Sequence, residues 1–347
     1  MEFENVFYFK KINSIGGVES FLYYLSCLYK NFVFIYREGD PVQIQRLSKN
    51  IEVIKYNEQK IKCKRIFFNY GPDIIDNVDA EEYIFMVHCD YTQVSFLPAT
   101  HPKITKYISV SKLAKEKLEE RCGLKSEVIY NPVIVKKTNT PKLTDKIHLV
   151  SATRLTKEKG GERINQLCKI LENNNIDYTW DIYSNRRYRF VGKNINIKEP
   201  KLDLAKEFEE ATYVVQLSDH ESFGLTVAES LCLGTPVIVT DIPAFKEVGC
   251  KHGENAVICD LAMKKVDVDL IKKGIPKFNY KPPKSNWGRY LDNNSSYNPK
   301  DKIEIRVTRR FFGVKENKHF EFGKTYFLTK ERVSELECKG LVQRIWS

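Results

Sequence analysis

The chain has 347 residues, more than the roughly 150 that one domain usually takes, so two domains with room for an appendage are expected. Hydrophobic residues make up 42% and charged residues 29%, a balance that excludes a disordered chain. The 56 Lys and Arg against 45 Asp and Glu leave a net charge of +11, which suits a nucleic acid, an anionic polymer, a membrane surface or a polyphosphate ligand without choosing among them.

The start, MEFENVFYFKKINS, has no basic region leading into a long apolar stretch, and no run of about 18 apolar residues occurs anywhere, so neither secretion nor a membrane span is expected. Strands are expected at Val6–Phe9 and Phe32–Tyr36, with a helix near Val18–Lys30 between them. Further short apolar runs follow at Ile51–Ile54, Arg65–Asn69, Tyr83–His88, Lys106–Ser109 and Val128–Tyr130, with a helix from Ser111 to Arg121. Continuous apolar strands separated by helices are what a parallel sheet covered on both faces requires.

After Asn131 and Pro132 the polar stretch KKTNTPKLTDK reads as an interdomain linker, placing a first domain at 1–137. A second βα series fills 138–275. Its strands are expected at Ile147–Ala152, Tyr178–Tyr183, Ile195–Ile197, Tyr213–Leu217, Val237–Thr240 and Ala256–Cys259, and its helices near Gly160–Asn173, Leu202–Glu210 and Gly224–Leu233. Two such series predict an α/β protein of two Rossmann-like, doubly wound domains facing a cleft, with ligands beyond the carboxyl ends of the strands. Residues 276–300, rich in Pro, Asn, Lys and Ser, read as a linker. Residues 301–347 read as a small β-rich module with a helix over 330–338 and a cation-aromatic run, Arg309 to Phe312, suited either to a phosphate-rich partner or to a plain strand. The nine cysteines are scattered and never spaced Cys-x-x-Cys, so they read as small core residues of a reduced, cytoplasmic protein, with contact at the inner membrane face left open by the charge.

The most specific segment is SDHESFGLTVAESLCLGTPVIVTD, residues 218–241. Glu221 follows a strand, and Glu229 stands eight positions later in a helix that begins around Ser222–Leu225. The free N–H groups at that start, opened by Gly224, make a seat for phosphates, with Ser222, Phe223 and Leu225 around it. If all eight residues were helical the two carboxylates would be about 12 Å apart, too far for a hydrolytic pair but suited to opposite ends of one long ligand. Near the end of the strand Ile147–Ala152, Arg154 supplies a bidentate fork and Lys159 a point charge, a pairing suited to a diphosphate leaving group. Alone, such a loop reads as surface charge; beside the glutamate segment it reads as an anion clamp.

The 218–241 segment resembles the E-x7-E signature of family-4 retaining glycosyltransferases of the GT-B fold, together with their Gly-Thr-Pro-Val strand. The Ser151–Gly161 segment resembles the family's G-R-L-x-x-x-K-G, with Thr153 where glycine is common. Gly16, Gly17 and Glu19 resemble the glycine turn near the donor phosphates, and His88 matches a histidine that reaches the donor sugar. The resemblance implies that Glu221 meets the donor sugar and Glu229 the ribose, that transfer retains the anomeric configuration, and that no metal or cofactor is required. The expected donor is a nucleotide sugar, with UDP as the first nucleotide to consider. The expected acceptor is a glycan, an anionic cell-surface polymer or another macromolecule. Alternatives are a modified base in DNA, or a non-catalytic protein that only binds a sugar nucleotide. Thr240, Pro243 and Glu247 belong to the same pattern, with Glu247 left between a structural and a nucleotide-binding role.

Overall fold

The computed structural model describes residues 2–143, 146–291, 302–313, 318–329, 332–333, 336–337 and 339–344. The first sheet comprises β1 (Glu2–Ile12), β2 (Phe32–Gly39), β3 (Glu52–Lys55), β4 (Ile61–Asn69), β5 (Val78–Val87), β6 (Lys106–Ser109) and β7 (Glu127–Val128). They run in the order β3-β2-β1-β4-β5-β6-β7, every pair parallel. The helices are α1 (Gly17–Leu28), α2 (Pro41–Ser48) and α3 (Lys112–Cys122).

The pleat explains why the strands are apolar throughout. Successive side chains of β1 point to opposite faces, and both faces are covered. Phe7 and Phe9 pack with Phe21 and Leu25 of α1, whereas Val6 and Tyr8 join a cluster containing Ala114 and Leu118 of α3. Strand β1 is longer than its apolar centre, because its polar start pairs with β4, where Lys62 meets Glu2 at 3.2 Å and Lys64 meets Glu4 at 3.1 Å.

The second sheet comprises β8 (Ile147–Ala152), β9 (Tyr178–Tyr183), β10 (Ile195–Lys198), β11 (Tyr213–Gln216), β12 (Val237–Thr240) and β13 (Ala256–Cys259), in the order β10-β9-β8-β11-β12-β13 and again parallel. Its helices are α4 (Gly161–Asn173), α5 (Ala205–Glu210), α6 (Leu225–Leu233), α7 (Pro243–Val248) and α8 (Val268–Lys273). Leu149, Val215 and Ile238 pack under α4. Val150, Val214 and Val239 pack under α6 and α7, in an apolar cluster that continues into the first sheet, so the two domains share one seam. Helices α2, α7 and α8 are absent from the sequence reading. At six to eight residues they are too short for a 3.6-residue period to declare itself.

The stretch read as an interdomain linker lies along the second domain, with Leu143 N donating to Glu210 O at 3.0 Å and Lys142 Nζ to Ala211 O at 2.8 Å. The stretch read as a linker over 276–300 carries an anchor. Trp287 is fully buried in the first domain, with its ring centroid 5.8 Å from Phe7, 5.5 Å from Phe21 and 5.8 Å from Phe67. Tyr290 and Leu291 are buried beside it. The chain therefore leaves the second domain and closes the core of the first.

The terminal module has β14 (Lys302–Val307), β15 (Phe311–Gly313), β16 (Lys318–Phe320), β17 (Thr325–Thr329) and β18 (Val342–Arg344), with antiparallel sheets β17-β14-β18 and β15-β16. Its own small core includes Ile305, Val307, Phe320, Val333 and Leu336. Phe311, from the cation-aromatic run, stacks on Phe320 at 4.5 Å, so that run is at least in part a packed strand. Of the helix expected over 330–338, residues 332–333 and 336–337 are helical and the others lie outside the described residues. Among the described residues no helix is long and apolar enough to cross a membrane.

The buried Trp287 generates a prediction. Trp287→Ala removes the largest side chain that ties the end of the second domain to the first, and is expected to lower stability by about 3–5 kcal/mol, read as a lower midpoint in urea.

Candidate functional site

The carboxyl ends of both sheets face a cleft of about 1110 Å³. Every candidate site residue lines it: Gly16, Gly17 and His88 from the first domain; Arg154, Lys159, Glu221, Ser222, Phe223, Gly224, Leu225 and Glu229 from the second.

Helix α6 begins at Leu225, so the four residues from Glu221 are not helical and only the stretch up to Glu229 winds. Gly224 precedes it at φ 87°, a left-handed conformation that glycine adopts without penalty, and among the described residues no side chain caps the helix. A Cβ there would also meet Phe245 Cε1 at 3.0 Å. The first-turn N–H groups of α6 have no acceptor within the helix and carry the positive end of its dipole, at the wall of the cleft.

The Arg154–Lys159 loop is held from below. Leu155 is buried and left-handed at φ 50°, a conformation costing a branched residue on the order of 1–2 kcal/mol, which its burial offsets. Gly160 packs so closely on the end of β11 that a Cβ would lie 2.0 Å from Leu217 O. Arg163 Nε donates to the same carbonyl at 2.7 Å and pairs with Asp219 at 2.7 Å, and Asp219 N donates to Glu158 O at 2.8 Å. The two loops are thus one unit. Arg154 is exposed, and among the described residues it has no ion-pair partner.

Lys159 and Glu221, read from the sequence as grips on different parts of a ligand, are paired with each other at 2.6 Å. Ser218 Oγ at 2.8 Å and Gln216 Nε2 at 3.4 Å donate to the same Glu221 oxygen. The reason is electrostatic: both side chains are mostly buried, at 15% and 17% exposed, and a desolvated charge requires a partner.

On the opposite wall, Glu19 folds back over the glycine turn and accepts from Asn13 N at 2.9 Å. A Cβ on Gly16 would sit 2.2 Å from Glu19 Oε2, so a side chain there would displace this carboxylate, whereas Gly17 has open space around it. His88 packs edge-on against Phe21 at 4.9 Å, and its Nε2 is buried without a hydrogen-bond partner among the described residues. Burial pulls the imidazole far below its usual range, to about 3, so it is neutral at physiological pH.

Several polar residues join the domains. Ser111 Oγ accepts from Ala114 N at 2.9 Å, capping α3, and donates to Ser222 O at 2.5 Å in the loop before α6. Glu247 accepts from Lys112 N at 2.6 Å and Leu113 N at 3.1 Å, so it caps a helix of the other domain. Thr240 Oγ1 donates to Ser218 O at 2.6 Å, an architectural role. Sequence reasoning missed Tyr24, whose hydroxyl donates to Glu229 Oε1 at 2.6 Å across the cleft. A signal for it existed: Tyr24 lies seven residues, two turns, beyond Gly17 on the same helix face. It also missed Tyr70, in the left-handed region at φ 67° beyond the end of β4 and lining the cleft.

Residues 135–284 match the family model described as glycosyl transferases group 1. That stretch contains Arg154, Lys159, Glu221 and Glu229, and the match supports glycosyl transfer as the reaction class. Among curated proteins none matches the sequence. Similar solved structures include HepE of Anabaena in complex with UDP-glucose, with a TM-score of 0.60 and 12% identity over 78% of this chain and 89% of that one. A glycosyltransferase of Rickettsia africae has a TM-score of 0.57 and 14% identity over 78% and 88%. The lipopolysaccharide outer core galactosyltransferase WaaB has a TM-score of 0.53 and 13% identity over 79% and 94%. At these identities the likeness is one of fold. The chain has the GT-B fold.

The neutral imidazole gives a test of the site. His88 ring resonances are expected not to titrate in NMR spectra between about pH 5 and 8, where an exposed histidine would. The sign for stability follows. The unfolded chain takes up a proton below about 6.5 that the fold excludes, so His88 lowers stability as pH falls from that value toward about 3.

Proposed function

We propose that the protein is a retaining, family-4-type glycosyltransferase that moves a hexose or N-acetylhexosamine from a UDP-sugar to an acceptor hydroxyl. The observation that carries this reading is the convergence, on one cleft wall and inside the family-matched stretch, of Arg154, Lys159, Glu221 and the uncapped start of α6. At about 1110 Å³ the cleft slightly exceeds the upper end of ordinary small-molecule sites, ~1,000 Å³, which suits a donor and acceptor side by side.

In this reading the α6 amides and Arg154 receive the diphosphate, with the Gly16–Gly17 backbone close to it on the other wall. Ser222, Phe223, Gly224 and Leu225 shape its seat. Lys159 exchanges part of its contact with Glu221 for phosphate oxygen as the glycosidic bond breaks and charge grows on the leaving group. Glu221 and the neutral His88 side chain lie on the donor-sugar side of the cleft, while Glu229 faces the ribose. The bond from the anomeric carbon to the phosphate oxygen breaks and a new bond to the acceptor oxygen forms on the same face. The acceptor's proton passes to the departing phosphate oxygen, so no metal and no protein base is required. UDP is favoured as the nucleotide because a structure of the same fold was solved with UDP-glucose. The basic charge fits an anionic glycan or polymer as acceptor.

Two measurements test the reading. UDP-glucose, UDP-galactose and UDP-N-acetylglucosamine are to be screened by thermal shift. The true donor at a hundredfold excess over its Kd is expected to add about 2.7 kcal/mol of apparent stability. Arg154→Ala, Lys159→Ala and Glu221→Ala should each slow transfer by about 100-fold or more while leaving circular dichroism unchanged. Wild-type turnover in all three would remove this cleft from the chemistry.

A further inference from the structure

The tyrosine-carboxylate contact buried where the domains meet carries an inference that rests on the assignment of Glu229 to the ribose. We infer that Tyr24, on the opposite domain, is a positioning residue of the donor site, holding Glu229 ionised and oriented toward the ribose diol. The two residues are 205 positions apart, yet the phenol donates to Glu229 Oε1 at 2.6 Å, the short distance of a hydroxyl bonded to a carboxylate. Tyr24 is 9% exposed, and both side chains line the cleft. Among the described residues Oε2 of Glu229 makes no hydrogen bond, so one oxygen is fixed and the other is left for a ligand hydroxyl.

The surroundings explain why such a partner is needed. Burial raises the Glu229 carboxyl far above its usual range, to about 7 even with the Tyr24 hydrogen bond in place, so without that bond still more of it would be protonated near neutrality and one lone-pair acceptor lost. The groups around it act in both directions. The Tyr24 hydrogen bond and, more weakly, the Arg46 guanidinium of α2 favour the ionised form, whereas Asp203, in the loop before α5, opposes it. Cys232, on α6 itself, is the remaining neighbour, its thiol pushed up mainly by burial and held neutral. Arg46 is fixed by stacking 3.4 Å from the Tyr23 ring centroid and by donating to Leu202 O at 3.3 Å, a further tie between the domains. Tyr24 supplies its bond only where α1 meets α6. The ribose subsite is therefore complete only when the two halves of the cleft are together.

A simple tie between domains would produce the same contact but not the same titration. The test measures UDP-glucose binding by calorimetry between about pH 5 and 9, a range in which its diphosphate diester keeps a constant charge, for the wild type, Tyr24→Phe and Glu229→Gln. In the wild type, affinity should rise through a midpoint near 7 as Glu229 ionises. Loss of the hydroxyl in Tyr24→Phe is expected to move that midpoint up by about one unit and to weaken binding at neutral pH about five- to tenfold. Glu229→Gln should weaken binding and abolish the midpoint. An unchanged midpoint in Tyr24→Phe, whatever happens to affinity, would overturn the inference and leave the ribose assignment standing. Wild-type binding and midpoint in Glu229→Gln would overturn both.

Discussion

Each helix start leaves backbone amides that the helix cannot satisfy, and where those amides go organises this protein. Helices α2, α3 and α8 begin with a side-chain acceptor, from Asp40, Ser111 and Asp267. Their first turns are closed, and α3 is closed twice, because Glu247 of the other domain adds its carboxylate to the same end. Among the described residues α1, α4, α5, α6 and α7 have no side-chain cap, and the first turns of α1 and α6, preceded by Gly16 and Gly224, line the cleft. The same physical requirement thus docks the domains at one place and leaves uncapped amides lining the cleft at another, those of α1 beside the Glu19 carboxylate.

Charge in the cleft follows from this arrangement. A wall that presents amides and cations needs acids nearby to remain stable, and the acids chosen are those that the proposed donor would also engage. Glu221 holds Lys159, and Glu229 accepts from Tyr24. Each pair satisfies a desolvated group without a deep cost, and each can exchange part of its bonding for ligand hydroxyl or phosphate oxygen. His88 differs: burial keeps it neutral, so it adds no charge to the cleft.

Rigidity is distributed unevenly. The loops carrying Arg154 and Glu221 are bound to each other through Arg163, Asp219 and the close approach of Gly160 to Leu217. The two domains meet through an apolar seam, a few polar caps, and Trp287, which returns the end of the second domain to the core of the first. Such a construction keeps Arg154, Lys159 and Glu221 in fixed relation while the opposite wall is positioned by contacts between domains.

The sequence by itself determined the strands, because a parallel strand buried on both faces must be apolar along its length, as VFYF and YIFMV are. It also determined the glutamate and Arg-Lys segments, since each is a local pattern of loop, glycine and helix start. Tertiary structure alone decided that Lys159 meets Glu221 and that Tyr24 meets Glu229. It also decided that Glu247 caps α3 and that Trp287 belongs to the first domain. These contacts join residues tens to hundreds of positions apart. Nothing in a neighbouring sequence window records which side chain will lie across a cleft, because that is fixed by how two separately folded sheets dock.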